Sequence, residues 1–208
     1  MQKKAVILAN GAFPTHEIPL KELKESKHII CCDGAINKLE KAGLEPFAII
    51  GDLDSLDSEL KWKYRDIIHH FSNQDTNDLT KAVEWCIANK YNEIAIVGAT
   101  GKRDDHMIGN VFLLPQYAKK VRVKMLTSYG VFTPIVRSKN FDSFTRQQVS
   151  IFSPNRETLI TTANLRYALT NQQLEWMWQG TLNESMGDSF RIEFEGGPLI
   201  VFQEYNSL

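Results

Sequence analysis

Cysteine is scarce. The chain has three in 208 residues, Cys31, Cys32 and Cys86, and two of them are adjacent. An odd count with no ligand-like spacing excludes a disulfide framework and a cysteine zinc site, and it predicts a reduced, cytoplasmic protein. No apolar run approaches the roughly 18 residues that a membrane span needs. MQKKAVILAN at the N-terminus lacks a full apolar segment and a small-residue cleavage site, which argues against a secretory signal. Neither sign of charge dominates. Twenty-four Lys and Arg face 25 Asp and Glu, a net charge of −1, so binding to nucleic acid by bulk positive charge is excluded. Repeats and low-complexity segments are also missing. What remains, with 43% apolar residues, is enough chain for one large or two small folded domains.

Two patterns alternate through the first part. Short apolar runs, Ala5 to Ala9, His28 to Cys32, Phe47 to Ile50, Ile67 to Phe71, Ile94 to Val97 and Val121 to Leu126, read as strands buried on both faces. Between them lie helical patterns. Leu79, Ala82, Val83, Cys86 and Ile87 recur at helical spacing, and a second pattern after Asp104 is expected to stop at Pro115. The alternation predicts a mostly parallel, doubly wound α/β domain over residues 1–128. Beyond Tyr129-Gly130 helical periodicity fades. Strand-like runs at Val149 to Phe152, Leu159 to Thr162, Leu174 to Trp178, Phe190 to Phe194 and Leu199 to Phe202 predict an all-β sandwich over 129–208. Trp176 and Trp178 fall on one face of the third run and are expected in its core.

Position makes the polar residues informative. Asp33-Gly34, Gly51-Asp52-Leu53-Asp54-Ser55, Asn73 to Asp78 and Gly98 to His106 each follow an apolar run. If the runs are parallel strands, all four clusters lie at the carboxyl edge of one sheet, where open α/β sheets bind ligands. Asp33, Asp52, Asp54 and Asp78 would then repel one another unless a hard cation such as Mg²⁺ joined them. Asp52 and Asp54, at i and i+2, would point the same way from an extended segment. The fourth cluster brings the opposite sign. Gly98 and Gly101 allow close backbone approach, Lys102 and Arg103 supply charge for phosphate, and a helix opens near Asp104. This is not a Walker A loop, because Ile96 and Arg103 stand where that motif needs Gly and Ser or Thr. Taken singly, each cluster has a plainer role. Asp33-Gly34 makes a turn, Asn77 caps a helix, Asp104-Asp105 suits a helix start, and His106 lies on a helix face. Their recurrence at four successive strand ends is what favours a site. The loop from Asn10 to Glu17 is expected to flank a nucleotide.

The order GDLDS (Gly51 to Ser55), QDTNDLTKA (Gln74 to Ala82) and GATGKRDDHMIGN (Gly98 to Asn110) resembles the thiamin pyrophosphokinase family. More weakly, Leu165 to Leu169 and Gly180 to Glu184 resemble that family's C-terminal thiamin-binding segments. The resemblance implies Mg²⁺-dependent transfer of diphosphate from ATP to the hydroxyethyl group of thiamin, giving thiamin diphosphate and AMP. It implies Asp52, Asp54 and Asp78 as catalytic residues, and Asp33, Asp52, Asp54 and Asp78 as metal-linked. Asp33, Gln74, Asp75, Lys102, Arg103, Asp105 and His106 would bind ATP, and Tyr167, Leu182 and Asn183 would bind thiamin. A homodimer with a shared site is implied as well. Asn73, Asn77, Asn164, Leu182 and Met186 depart from the family pattern. Those departures keep two rivals in view: a diphosphotransferase for another alcohol, and a non-catalytic thiamin- or nucleotide-binding module.

Overall fold

Runs that are apolar on both faces have one economical solution, a parallel sheet covered by helices, and the first part of the chain adopts it. The computed structural model describes residues 3–72 and 75–206. They form two compact units, Met1–Val111 with Lys120–Ser128, and Phe112–Lys119 with Tyr129–Leu208.

In the first unit the strands are β1 (Lys4–Leu8), β2 (Ile29–Cys32), β3 (Ala48–Gly51), β4 (Ile68–His70), β5 (Glu93–Val97) and β6 (Arg122–Leu126). Their order is β6-β5-β1-β2-β3-β4, and every pairing is parallel. The connecting helices are α1 (Glu17–Lys24), α2 (Ile36–Lys41), α3 (Ser58–Lys63), α4 (Asp78–Ala88) and α5 (Asp104–Ala118). β1 opens a path outward through β2, whereas β5 lies on its other side. That reversal is the topological switch point at which such sheets bind ligands. Ile7, Ile30, Ile49, Ile50, Ile94 and Ile96 have no exposed surface and fill the core. Helix starts follow the expected chemistry. Asp57 Oδ1 accepts the Leu60 N–H at 2.9 Å, and Asn77 Oδ1 accepts the Thr80 N–H at 2.9 Å. One expectation fails here: α5 does not stop at Pro115 but carries it inside and runs on to Ala118. A proline inside a helix forfeits one backbone bond and kinks rather than always terminating it.

Apart from Phe112–Lys119, which carries the end of α5, the second unit is built on β-strands. Strands β7 (Gly130–Ile135), β9 (Gln148–Phe152), β11 (Asn183–Glu184) and β13 (Leu199–Glu204) are ordered β11-β9-β13-β7 and pair antiparallel. A second sheet is β10-β12-β8, built from Leu159–Ala163, Ser189–Glu195 and Lys139–Asp142. Their inward residues, among them Val149, Ile151, Ile160, Phe190, Ile192 and Val201, form one buried cluster. Phe141 stacks on Phe190 with centroids 4.9 Å apart. The run Leu174 to Trp178 is not a strand. Met177–Gly180 is a short 3-10 turn, and Trp176 and Trp178 are 55% and 70% exposed rather than in the core. Gln179 explains the switch: its side-chain oxygen accepts the Trp176 N–H and its own N–H donates to the Trp176 carbonyl, closing a turn.

A candidate anion and metal pocket

A pocket of about 540 Å³ opens at the carboxyl edge of the parallel sheet. The segments following β1, β2, β3 and β5 all reach it, as does the start of α4. Its charged lining is Asp33, Asp52, Asp75, Asp78, Lys81, Lys102 and Arg103.

Asp33 sits where β2 ends, with φ +37, a conformation that Asp tolerates better than most side chains. It is 5% exposed. Its Oδ2 accepts the Ser55 N–H at 3.3 Å, whereas Oδ1 is buried with no partner. Gly51 makes room for it, because a Cβ there would stand 2.9 Å from the Asp33 Cβ. Asp52 follows immediately on β3, and Asp78 opens α4. One carboxylate oxygen from each of Asp33, Asp52 and Asp78 lies within 4.8 Å of the others. Three carboxylates, one of which has a buried oxygen with no partner, fit a divalent cation such as Mg²⁺.

Asp54 does not join them. It is exposed, and its N–H donates to Asp52 Oδ1 at 3.2 Å. Leu53 has φ +67, so the segment is a turn rather than extended, and i, i+2 side chains no longer share a direction. Gln74 and Asn73 lie outside the described residues. Asp75 lines the pocket from an exposed position.

The opposite wall is basic. Gly98 has φ +66, and a Cβ there would meet the Ala9 carbonyl oxygen at 2.8 Å, so glycine is required where the loops after β1 and β5 cross. Lys102, Arg103 and His106 line the pocket from exposed positions. Asp105 is directed to Arg103, which it meets through Nε at 3.0 Å and Nη2 at 2.5 Å. That guanidinium holds the Asp105 carboxyl at about 2, below the ordinary Asp range. Asn110 is buried and ties the edge together. Its Nδ2 donates to the Ala99 carbonyl at 3.2 Å, and its Oδ1 accepts from Asn77 Nδ2 at 3.4 Å.

Two lysines escaped the reading of the sequence. Lys81, 5% exposed, donates to Asp78 Oδ1 at 3.0 Å. The spacing of Asp78 and Lys81, i and i+3 on one helix face, is the signal that could have found it. Lys38 on α2 donates to the Asn10 carbonyl at 3.2 Å, to Asn10 Oδ1 at 3.3 Å and to the Gly11 carbonyl. Burial, and then the like charge of Lys102, pulls its ammonium below its ordinary range. No sequence pattern marks that contact. The thiols of Cys31 and Cys86 are each pushed up to about 12 by burial, which removes them as nucleophiles.

In the second unit, Tyr167 and Leu182 are 62% and 72% exposed, and Leu182 has φ +56. Asn183 is different. It is buried, its Oδ1 accepts the N–H groups of Tyr167 (3.0 Å) and Glu184 (2.9 Å), and its Nδ2 donates to the Tyr167 carbonyl at 2.7 Å. Its amide holds the Tyr167 segment in place.

Residues 20–126 match the family described as thiamin pyrophosphokinase, catalytic domain, and residues 130–202 match thiamin pyrophosphokinase, substrate-binding domain. Thiamin pyrophosphokinase 1 of Caenorhabditis elegans is 26% identical over 167 residues, which covers 73% of this chain and 68% of that protein. The crystal structure of thiamin pyrophosphokinase from Geobacillus thermodenitrificans superposes with a TM-score of 0.80 at 25% identity, covering 98% of each chain. The thiamine pyrophosphokinase structure from Bacillus subtilis shares the fold at a TM-score of 0.81 and 21% identity, covering 99% of this chain and all of that one.

Proposed function

The chain belongs to the thiamin pyrophosphokinase family, and from that premise we propose that its acid-and-base pocket transfers diphosphate from ATP to the hydroxyethyl oxygen of thiamin. The products are thiamin diphosphate and AMP. The observation that carries this reading is the buried, unpartnered Asp33 Oδ1, set among Asp52 and Asp78 in a pocket whose other wall holds Lys102 and Arg103.

Asp33, Asp52 and Asp78 would hold Mg²⁺, which when bound neutralises their charge and that of the polyphosphate and polarises phosphoryl oxygens. The chain's own part is to position and to neutralise, which is most of what phosphoryl transfer asks of a protein. Lys102 and Arg103 grip the triphosphate, with the Arg fork suited to paired phosphate oxygens. The thiamin hydroxyl oxygen forms a bond to the β-phosphorus, and the bond from that phosphorus to the α–β bridging oxygen breaks. AMP departs with the electron pair. A loose transition state lets the hydroxyl keep its proton until late, so no strong base is needed. Asp54, exposed beside Asp52, is available to take that proton at a carboxylate oxygen.

Tyr167 and Leu182 belong to this reading as apolar contacts for the thiamin rings, with Asn183 supporting Tyr167 from below. Their exposure, with that of Met186 at 61%, supports a homodimer in which these apolar surfaces are covered. Three free, buried cysteines support a reducing, cytoplasmic setting.

The test is product analysis. With ATP, Mg²⁺ and thiamin, AMP and thiamin diphosphate should accumulate in equal amounts. ADP as the nucleotide product, or AMP released only with a different alcohol, would overturn the reading. A non-catalytic module would bind Mg²⁺–ATP and release no AMP.

A further inference from the structure

Lys81 is the most deeply buried cation at the pocket, 5% exposed, and lysine is almost never buried without a partner. Its partner is Asp78 Oδ1 at 3.0 Å, and Asp78 is a member of the acidic triad. The lysine also lines the pocket itself. A positive charge thus stands against one member of the cluster that would take a cation. Two ligands feel it with opposite sign. A bare divalent cation is repelled by it. A divalent cation already carried on a polyphosphate is part of a net anion, and the complex is attracted, as it is by Lys102 and Arg103 across the pocket.

We infer that Lys81 is a positioning residue that serves as the triad's built-in counter-ion, weakening the hold on a bare divalent cation and favouring the cation that arrives on a nucleotide. This rests on the reading of Asp33, Asp52 and Asp78 as the metal-holding set. It goes beyond that reading by giving the site an order of preference. The lysine acts through Asp78, whose Oδ1 it holds by a hydrogen bond at 3.0 Å.

The experiment uses the full chain and two binding measurements without turnover. Free Mn²⁺ is titrated by electron paramagnetic resonance in the absence of nucleotide. The Mg²⁺ complex of α,β-methylene ATP, whose reacting bond cannot be cleaved, is titrated by calorimetry. Lys81→Gln keeps a donor for Asp78 and removes the charge, and Lys81→Met removes both. Each should bind free Mn²⁺ about tenfold more tightly and the nucleotide complex about tenfold more weakly. Lys81→Arg should stay near the parent on both. A lysine that merely supports the fold would weaken both ligands together in the neutral variants, and that result, or no shift in either, overturns the inference. The outcome is separable from the proposed activity. A parent chain that makes no AMP from ATP and thiamin sinks the activity while the two titrations still report on Lys81.

Discussion

The two units place polar and apolar side chains in opposite senses at the surfaces that bear on function. In the α/β unit, carboxylates and cations from four strand ends turn toward one pocket, and apolar residues stay in the core. In the β unit, Gln147, Ser150, Asn183 and Ser185 are buried, while Tyr167, Trp178, Leu182 and Met186 are exposed. Charge at a strand end has one place to go, because parallel strands deliver their carboxyl termini to a common edge. Apolar exposure in a β unit has no such rule. The lesson is that a residue's chemistry predicts its role when topology fixes its direction, and otherwise does not.

That comparison breaks most visibly between Asp52 and Asp54 of the α/β unit. Asp52→Asn and Asp33→Asn should each lower turnover about a thousandfold or more, since each removes a donor whose work amounts to several kcal/mol of charge stabilisation. Asp54→Asn should cost about tenfold or less, because water can replace an exposed proton acceptor. Circular dichroism should show all three folded. Equal losses at Asp52 and Asp54 would mean that the turn at Leu53 does not separate them.

The β unit yields the next largest effect, and it falls on stability. Asn183→Ala removes the side-chain hydrogen bonds to the part-buried Tyr167 N–H and carbonyl, at about 0.5–1.5 kcal/mol for each bond. The melting temperature should fall by several degrees, and KM for thiamin should rise while KM for ATP holds. A variant with unchanged stability and a raised thiamin KM would instead make Asn183 a direct contact.

These contrasts mark how far the sequence was legible. The six parallel strands and the convergence of Asp33, Asp52 and Asp78 could be read because buried strands are continuous apolar runs, and the residues just past them inherit a position. Asp54 was misplaced because the positive φ of Leu53, a non-glycine residue, leaves no mark in the sequence. Trp176 and Trp178 were misplaced because period-two spacing is shared by a strand and by a turn closed through Gln179. Strands β7, β8 and β11 were missed because Gly130, Pro134, Asn140 and Asn183 break the apolar pattern and their pairing partners are distant in sequence. Lys38 was invisible because its partners, the carbonyls of Asn10 and Gly11, are backbone groups that every residue has.

The smallest expected effect concerns the basic wall. In the chain without ligand, Arg103 is spent on Asp105, and that hydrogen-bonded pair holds the Asp105 carboxyl at about 2. A depressed carboxyl contributes stability that is present above the ordinary Asp range near pH 4 and lost as the pH falls through about 2. Both side chains are largely exposed, 67% and 60%, so solvent screening leaves little of this in the overall stability. The titration itself is the sensitive readout. In a carboxyl-detected NMR titration, Asp105 should have its midpoint near 2, and Arg103→Ala should move it up to the ordinary range. At about pH 7, where carboxylates are ionised, saturating Mg²⁺–α,β-methylene ATP should shift the Asp105 carboxyl and Arg103 Nε resonances from their places in the ligand-free chain, because a guanidinium turned to phosphate no longer serves Asp105. If the nucleotide leaves both resonances unmoved, Arg103 keeps its carboxylate, and Lys102 with the N-terminus of α5 must carry the phosphate charge on that wall.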